Sequence, residues 1–208
     1  RTEDDDGDEV EGDLEDVESI LDECDRSGFA KMSLRWHYRS RHPSLIQFSN
    51  ARYYDSRLVT FPAATAPTAE PKLGVRWLAV DGVYDKGGKR INEIEARAVV
   101  AEVVRRLKLP GATGSLGVVT LALPQRTRIE ELLDEARRAH PEIERFFDAL
   151  QVPEPVFVKN LENVQGDERD VIVFSMTFGK DAHGKVALNF GALNRDGGER
   201  RLNVAVTR

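Results

Sequence analysis

One cysteine among 208 residues, Cys24, leaves no internal disulfide to staple this chain, and its four histidines are scattered without the spacing of a zinc site. Disulfide scaffolds and small zinc modules are excluded, and no metal site is expected. No run of about 18 apolar residues is present to cross a bilayer. The first residues are acidic where a secretory signal would be basic. These absences point to a cytoplasmic protein with no membrane partner. The sequence also has no internal repeat.

Nor does it contain a nucleotide-hydrolysing core, although two stretches imitate one. "GKDAHGKV" at 179–186 fits the first seven places of a phosphate-binding Walker A loop and follows an apolar run. Val186 stands where a Ser or Thr must ligate magnesium, and "ALNFGALN" after it is no helix whose N-terminus would cradle phosphates. A surface turn is the expectation. "LLDEA" at 132–136 resembles a Walker B strand, but its apolar positions have helical spacing, which turns Asp134 and Glu135 toward solvent.

What is present is a chain that is 40% hydrophobic and 32% charged, enough to bury one good core. Its net charge of -6 conceals an asymmetry. Residues 1–25 hold 14 acidic side chains and one Arg, and the remainder carries 29 basic against 22 acidic residues. A basic body behind an acidic leader suits a polyanionic partner, although a solvated tail on an ordinary surface has the same composition. Residues 1–13 have too little apolar surface to offset the entropy of ordering and are expected to be disordered.

From Asp13, a plausible N-cap, Val17, Ile20, Leu21 and Cys24 recur with helical spacing until Gly28. Further on, short apolar runs alternate with amphipathic helices. "VRWLAV" at 75–80 reads as a strand. Asn92 and Glu95 form an approximate capping box for a helix whose stripe is Ala96, Val99, Val100, Val103 and Leu107. "LGVVTL" at 116–121 reads as a strand, followed by a helix with Ile129, Leu132, Leu133 and Ala136 on one face. Pro141 opens a shorter helix. "VFVK" at 156–159 and "VIVFSM" at 171–176 are apolar on both faces, as in a parallel sheet covered on both sides. The class is α/β with right-handed crossovers, and 61–74 reads as a Pro/Ala-rich connector.

Three segments exceed what packing requires. "LRWHYRSRHPSLIQFSN" gathers Arg35, Arg39 and Arg41 around two aromatics before a proline-opened helix. A guanidinium fork matches phosphate oxygens, and a solvated basic loop is the plainer alternative. "ENVQGDERDVIVFS" has a turn-permitting Gly166 with Gln165, Asp167, Glu168, Arg169 and Asp170 at the mouth of a strand, where ligands gather in α/β folds. "GGERRLNVAVTR" sets Arg200, Arg201 and Arg208 around a stripe of Leu202, Ala205 and Val206, which an ordinary amphipathic helix would also show.

In this order and at these separations the three segments resemble the second motor domain of superfamily 1 helicases, in the branch of the nonsense-mediated-decay helicase and its bacterial relatives. "YRSRHP" is similar to motif IV, "GVVTLALPQR" to the segment after it, "VQGDERD" to motif V and "GGERRLNVAVTR" to motif VI, with the likeness covering about 14–208. The resemblance implies a RecA-like, doubly wound parallel sheet with helices on both faces, truncated before a last strand that would lie beyond Arg208. It implies a parent enzyme that binds ATP and Mg2+ mainly through a first RecA-like domain absent here, and moves along single-stranded nucleic acid. Carried onto this chain, Arg39 and Arg208 would contact the γ-phosphate as catalytic arginine fingers, with Glu168, Gly166, Gln165 and Arg41 at the nucleotide. Thr120, Gln125 and Asn163 would lie near the strand. The family order arginine-methionine-histidine-proline is here "RSRHP", so Arg41 competes with Arg39; Arg39 is favoured because it follows the matched tyrosine. The same fold kept only as a nucleic-acid or protein-binding module is the alternative. A nuclease at Asp81, Asp85 and Lys89 lacks a second carboxylate pair for metals.

Overall fold

The computed structural model describes residues 20–40, 42–61, 74–110, 115–164, 166–186 and 188–207. The chain divides after Arg35 into two units. In the first, helix α1 spans Ile20–Arg26 and ends where the Phe29 amide donates to the Cys24 carbonyl around Gly28, at φ +77°. Ile20 and Leu21 are exposed, so the apolar stripe read from the sequence is not buried within this unit. The leader 1–13, the Asp13 cap and Val17 lie outside the described residues.

The second unit begins with two short parallel strands, β1 (Trp36–His37) and β2 (Val59–Thr60), on either side of helix α2 (Ser44–Tyr53). Helix α3 (Glu93–Leu107), strand β3 (Leu116–Thr120) and helix α4 (Leu123–Ala139) follow. After a 3-10 helix at Pro141–Phe147 come β4 (Phe157–Asn160) and β5 (Val171–Ser175), and helix α5 (Gly198–Val206) closes the described chain. β3, β4 and β5 form an all-parallel sheet in the order β4-β3-β5.

Alternation along the strands decides which helix covers which face. Leu116 and Val118 of β3, with Val158 and Val173 beside them, pack on the stripes of α3 and α4; Val103 and Ile129 are wholly buried there. Val119, Phe157, Ile172 and Phe174 point the other way, toward Leu161, Val164 and Ala205 of α5. Full burial of a Val or Ile side chain is worth about 1.5 to 3 kcal/mol, and β3, buried at all five positions, is the strand both layers share. Its Gly117 is required by packing, because a Cβ there would run into the Phe157 ring.

Residues 75–80 depart from the expected strand. They form no strand and pair with no described strand, and Val75 and Trp77 are exposed. The apolar alternation was legible; the missing term is a hydrogen-bonding neighbour, which no local pattern supplies. The capping box at the start of α3 is half formed. Asn92 Oδ1 accepts the Glu95 amide at 3.1 Å, but the Glu95 carboxylate leaves its own helix and accepts the Ser175 hydroxyl at 2.7 Å and the Thr177 amide at 2.9 Å. Thr177 has a left-handed backbone, φ +65°, and two hydrogen-bond acceptors on one carboxylate outweigh the single reciprocal cap.

Two carboxylates on α3 make the unit sensitive to acid. Hydrogen bonds from Arg128 of α4, at 2.7 and 2.9 Å, hold the Glu93 carboxyl at about 2, and Arg105 does the same to Glu102. Both lie below the ordinary 4.5, so their stabilisation is complete above that pH and is lost as pH falls toward 2. The urea midpoint is expected to drop over this window. Glu102→Gln should start lower at pH 7 and lose part of the slope; parallel profiles for the two proteins would contradict this.

Candidate functional site

The loop between β1 and α2 is built to present Arg39. His37 Nε2 accepts the Ser40 amide at 3.2 Å and contacts the Ser40 hydroxyl at 2.7 Å, closing a tight turn. Burial lowers the His37 pKa, and the Arg39 charge lowers it further; both favour the neutral ring that can accept the Ser40 amide. On the far side, His42 Nδ1 accepts the Ser44 amide and Pro43 occupies the N-cap of α2. Tyr38 and Arg39 are left projecting, Tyr38 at 83% exposure.

Across 129 positions of sequence, the Arg39 guanidinium forms an ion pair with Glu168. Glu168 belongs to a run, residues 167–170, in which successive side chains leave in different directions. Asp167 accepts from Lys159 at 2.6 Å. Arg169 lies over the Phe157 ring, 4.7 Å to its centroid, and donates to the carbonyls of Glu168 and Pro155. Asp170 accepts the Ser115 amide at 3.1 Å, beside the amino ends of β3 and β5. Gly166, at φ +92°, turns the chain into this run, a conformation costly for any residue with a Cβ. The structure therefore brings together Arg39 and Glu168, with Gly166 two residues before Glu168. Arg41, Gln165 and Arg208 lie outside the described residues.

The residues expected near a nucleic-acid strand differ in exposure. Asn163 is exposed on a 3-10 turn after β4. Thr120 and Gln125, by contrast, have no exposed surface. The Thr120 hydroxyl donates to the Ala122 carbonyl at 3.1 Å. Gln125 Oε1 accepts the Asn92 amide at 2.8 Å, and its Nε2 donates to the Asn92 carbonyl at 3.2 Å and to Ser175 Oγ at 3.4 Å. In this geometry both side chains serve the carboxyl edge of the sheet from inside. Sequence reading missed the role of Glu95, whose signal was a glutamate at a capping position. It also missed the stack of Trp36 on Phe61, with centroids 5.2 Å apart and both rings exposed.

Both Walker imitations resolve into structure. Asp181 Oδ1 accepts the amides of His183 and Lys185 at 2.9 Å, and the Lys185 amide is the main reason its pKa is lowered. An aspartate filling the loop with its own carboxylate leaves no cradle for phosphate. Asp134 and Glu135 lie on the solvent side of α4. The Asp85 carboxylate accepts the Gly88 and Lys89 amides and so closes a turn. Among the described residues no group of three or more His, Cys, Asp or Glu gathers for a metal, and no helix is long and apolar enough to cross a membrane.

In α5, Ala205 is buried between the sheet and Val164, with Leu202 and Val206 half-buried. Asn203 Nδ2 donates to the Tyr54 hydroxyl at the end of α2, and Arg201 donates to the Asp196 carbonyl. Helix α5 thus packs against α2, which places Thr207 on the same body as Arg39.

The family described as "AAA domain" matches residues 17–208. An ATP-dependent helicase of Mycoplasma genitalium is 36% identical over 179 residues, and its homolog in Mycoplasma pneumoniae 34% over 178; each alignment covers 84% of this chain and 15% of the relative. Regulator of nonsense transcripts 1 of Dictyostelium discoideum is 27% identical over 177 residues, 80% of this chain and 12% of the relative. The chain spans about 15% of the length of the helicases it matches. It belongs to this AAA-domain family of superfamily 1 helicases.

Proposed function

We propose that the chain is the second, RecA-like motor domain of an ATP-dependent superfamily 1 helicase, supplying Arg39 and Arg208 to ATP held mainly by the first motor domain, together with part of the single-strand track. The observation that carries this reading is the meeting of Arg39 and Glu168 from two separate motifs on an exposed surface. The residues suit a nucleotide. The Arg39 fork matches phosphate oxygens, the Glu168 carboxylate can accept from ribose hydroxyls, and the projecting Tyr38 ring offers a face for a base. Mg2+ in the parent would neutralise phosphate charge, and Arg39 would donate to oxygens on which charge accumulates in the transition state. A sheet covered on both faces by α3, α4 and α5 is compatible with the doubly wound fold.

The partners of such a domain are the first motor domain of the same parent and single-stranded DNA or RNA. The strand role falls to surface groups such as Asn163, with Thr120 and Gln125 holding the edge from behind. Two measurements on the purified chain test the reading. It should show no magnesium-dependent ATP hydrolysis above background, since both Walker elements are missing from it. Single strands should bind weakly through the basic body, with affinity falling steeply as salt rises. Robust hydrolysis by the chain alone would overturn the assignment of the nucleotide core to the other domain. Salt-insensitive binding would remove the electrostatic track.

A further inference from the structure

We infer that Glu168 is a competing partner for Arg39, occupying the guanidinium when no phosphate is present, so that a phosphate anion binds Arg39 only by exchange with this carboxylate. The inference rests on the assignment of Arg39 to phosphate made above. Three observations support exchange over a fixed structural bridge. The two side chains are 52% and 58% exposed, so an anion from solvent can reach the pair. An exposed ion pair is worth little, and is therefore replaceable, whereas a buried one would not be. Among the described residues, Lys159 is committed to Asp167, and Arg169 to the Phe157 ring and two carbonyls, which holds the run in place beneath Glu168.

Glu168 Oε2 sits on Arg39 Nη2, the nitrogen that takes part in both bidentate faces of a guanidinium, so a phosphate that is to be gripped by either face competes with this carboxylate. While Glu168 holds that nitrogen, a bidentate phosphate must displace it. When phosphate leaves, the carboxylate takes the guanidinium back and keeps it at the site. Glu168 is thus a positioning residue that sets how tightly Arg39 holds an anion, in addition to any contact it makes with ribose.

Inorganic triphosphate, which has no ribose, separates these roles. The purified chain is titrated with it while the arginine Nε–H signals are followed by NMR, in the wild type, Glu168→Gln, Arg39→Gln and the double variant. Wild-type binding is expected to be weak and lost in Arg39→Gln. Glu168→Gln should tighten it about twofold to fivefold, the range an exposed pair allows. In the Arg39→Gln background the same change should have no such effect. Equal tightening in both backgrounds would reduce Glu168 to a general negative charge and overturn the exchange. Weakened binding in Glu168→Gln would make the carboxylate a holder of the anion site, which also overturns it. Arg39-dependent binding unaffected by Glu168→Gln defeats the exchange alone, whereas binding indifferent to Arg39 defeats the phosphate assignment as well.

Discussion

Arg39→Ala in the parent enzyme is expected to lower kcat for ATP hydrolysis by about 10³, within the range of arginine fingers, and to change ATP affinity only a few-fold. The split between the two constants carries the argument. A group that meets charge developing in the transition state contributes little to the ground state, so its loss appears in turnover. Arg39→Lys should recover little, because an ammonium is a point charge and cannot donate two parallel hydrogen bonds. Stability gives the contrasting expectation. Arg39 is half exposed and paired with an exposed carboxylate, so neither change should move unfolding by more than about 1 kcal/mol. Steady-state hydrolysis with saturating single strand, nucleotide affinity and urea unfolding on the same preparations check all three points. A purely structural Arg39 would leave kcat within about twofold.

Gln125→Ala is expected to act in the opposite way, with a large loss of stability. The wholly buried amide is the partner of both backbone groups of Asn92, and it also reaches Ser175 Oγ. Its removal strands a buried N–H, at about 1 to 3 kcal/mol, and leaves a cavity beside Ile129 and the sheet. Together these suggest about 3 kcal/mol, or roughly 6 to 12 °C in melting temperature for a domain of this size. Gln125→Leu restores volume without an acceptor and should recover less than half. Equilibrium unfolding measures the loss. Unchanged stability with lost single-strand binding would instead make Gln125 a strand contact.

The contrast between Arg39 and Gln125 shows where the sequence was readable. Helices α3 and α4 and strands β3, β4 and β5 carry apolar periodicity in contiguous residues, and the packing of Val103 and Ile129 follows from it directly. The solvent side of Asp134 was legible for the same reason, and the turn at Gly166 from the glycine itself. Pairings across long separations were not. Nothing near Glu95 announces Ser175 and Thr177, 80 and 82 residues away. Nothing in "VRWLAV" tells whether a neighbouring strand exists. Gln125 was expected near a nucleic-acid strand from the resemblance alone; its burial is set by the backbone groups of Asn92, which only the fold brings near. The motifs themselves were readable, and the partnership of Arg39 with Glu168 was not, because an exposed ion pair leaves no periodic signal.

ATP turnover in the parent by Arg39→Ala, Arg208→Ala and the double variant, measured beside ATP affinity, bears most directly on the role proposed for this chain, the arginine-donating half of the motor. Two arginines that meet the same developing charge act as a unit, so their losses should not add. Each single variant should fall by about 10³ in kcat, and the double by no more than about tenfold further, with affinity nearly unchanged. Turnover close to wild type in either single variant would contradict the role, and would leave that arginine as the exposed edge of a packed domain.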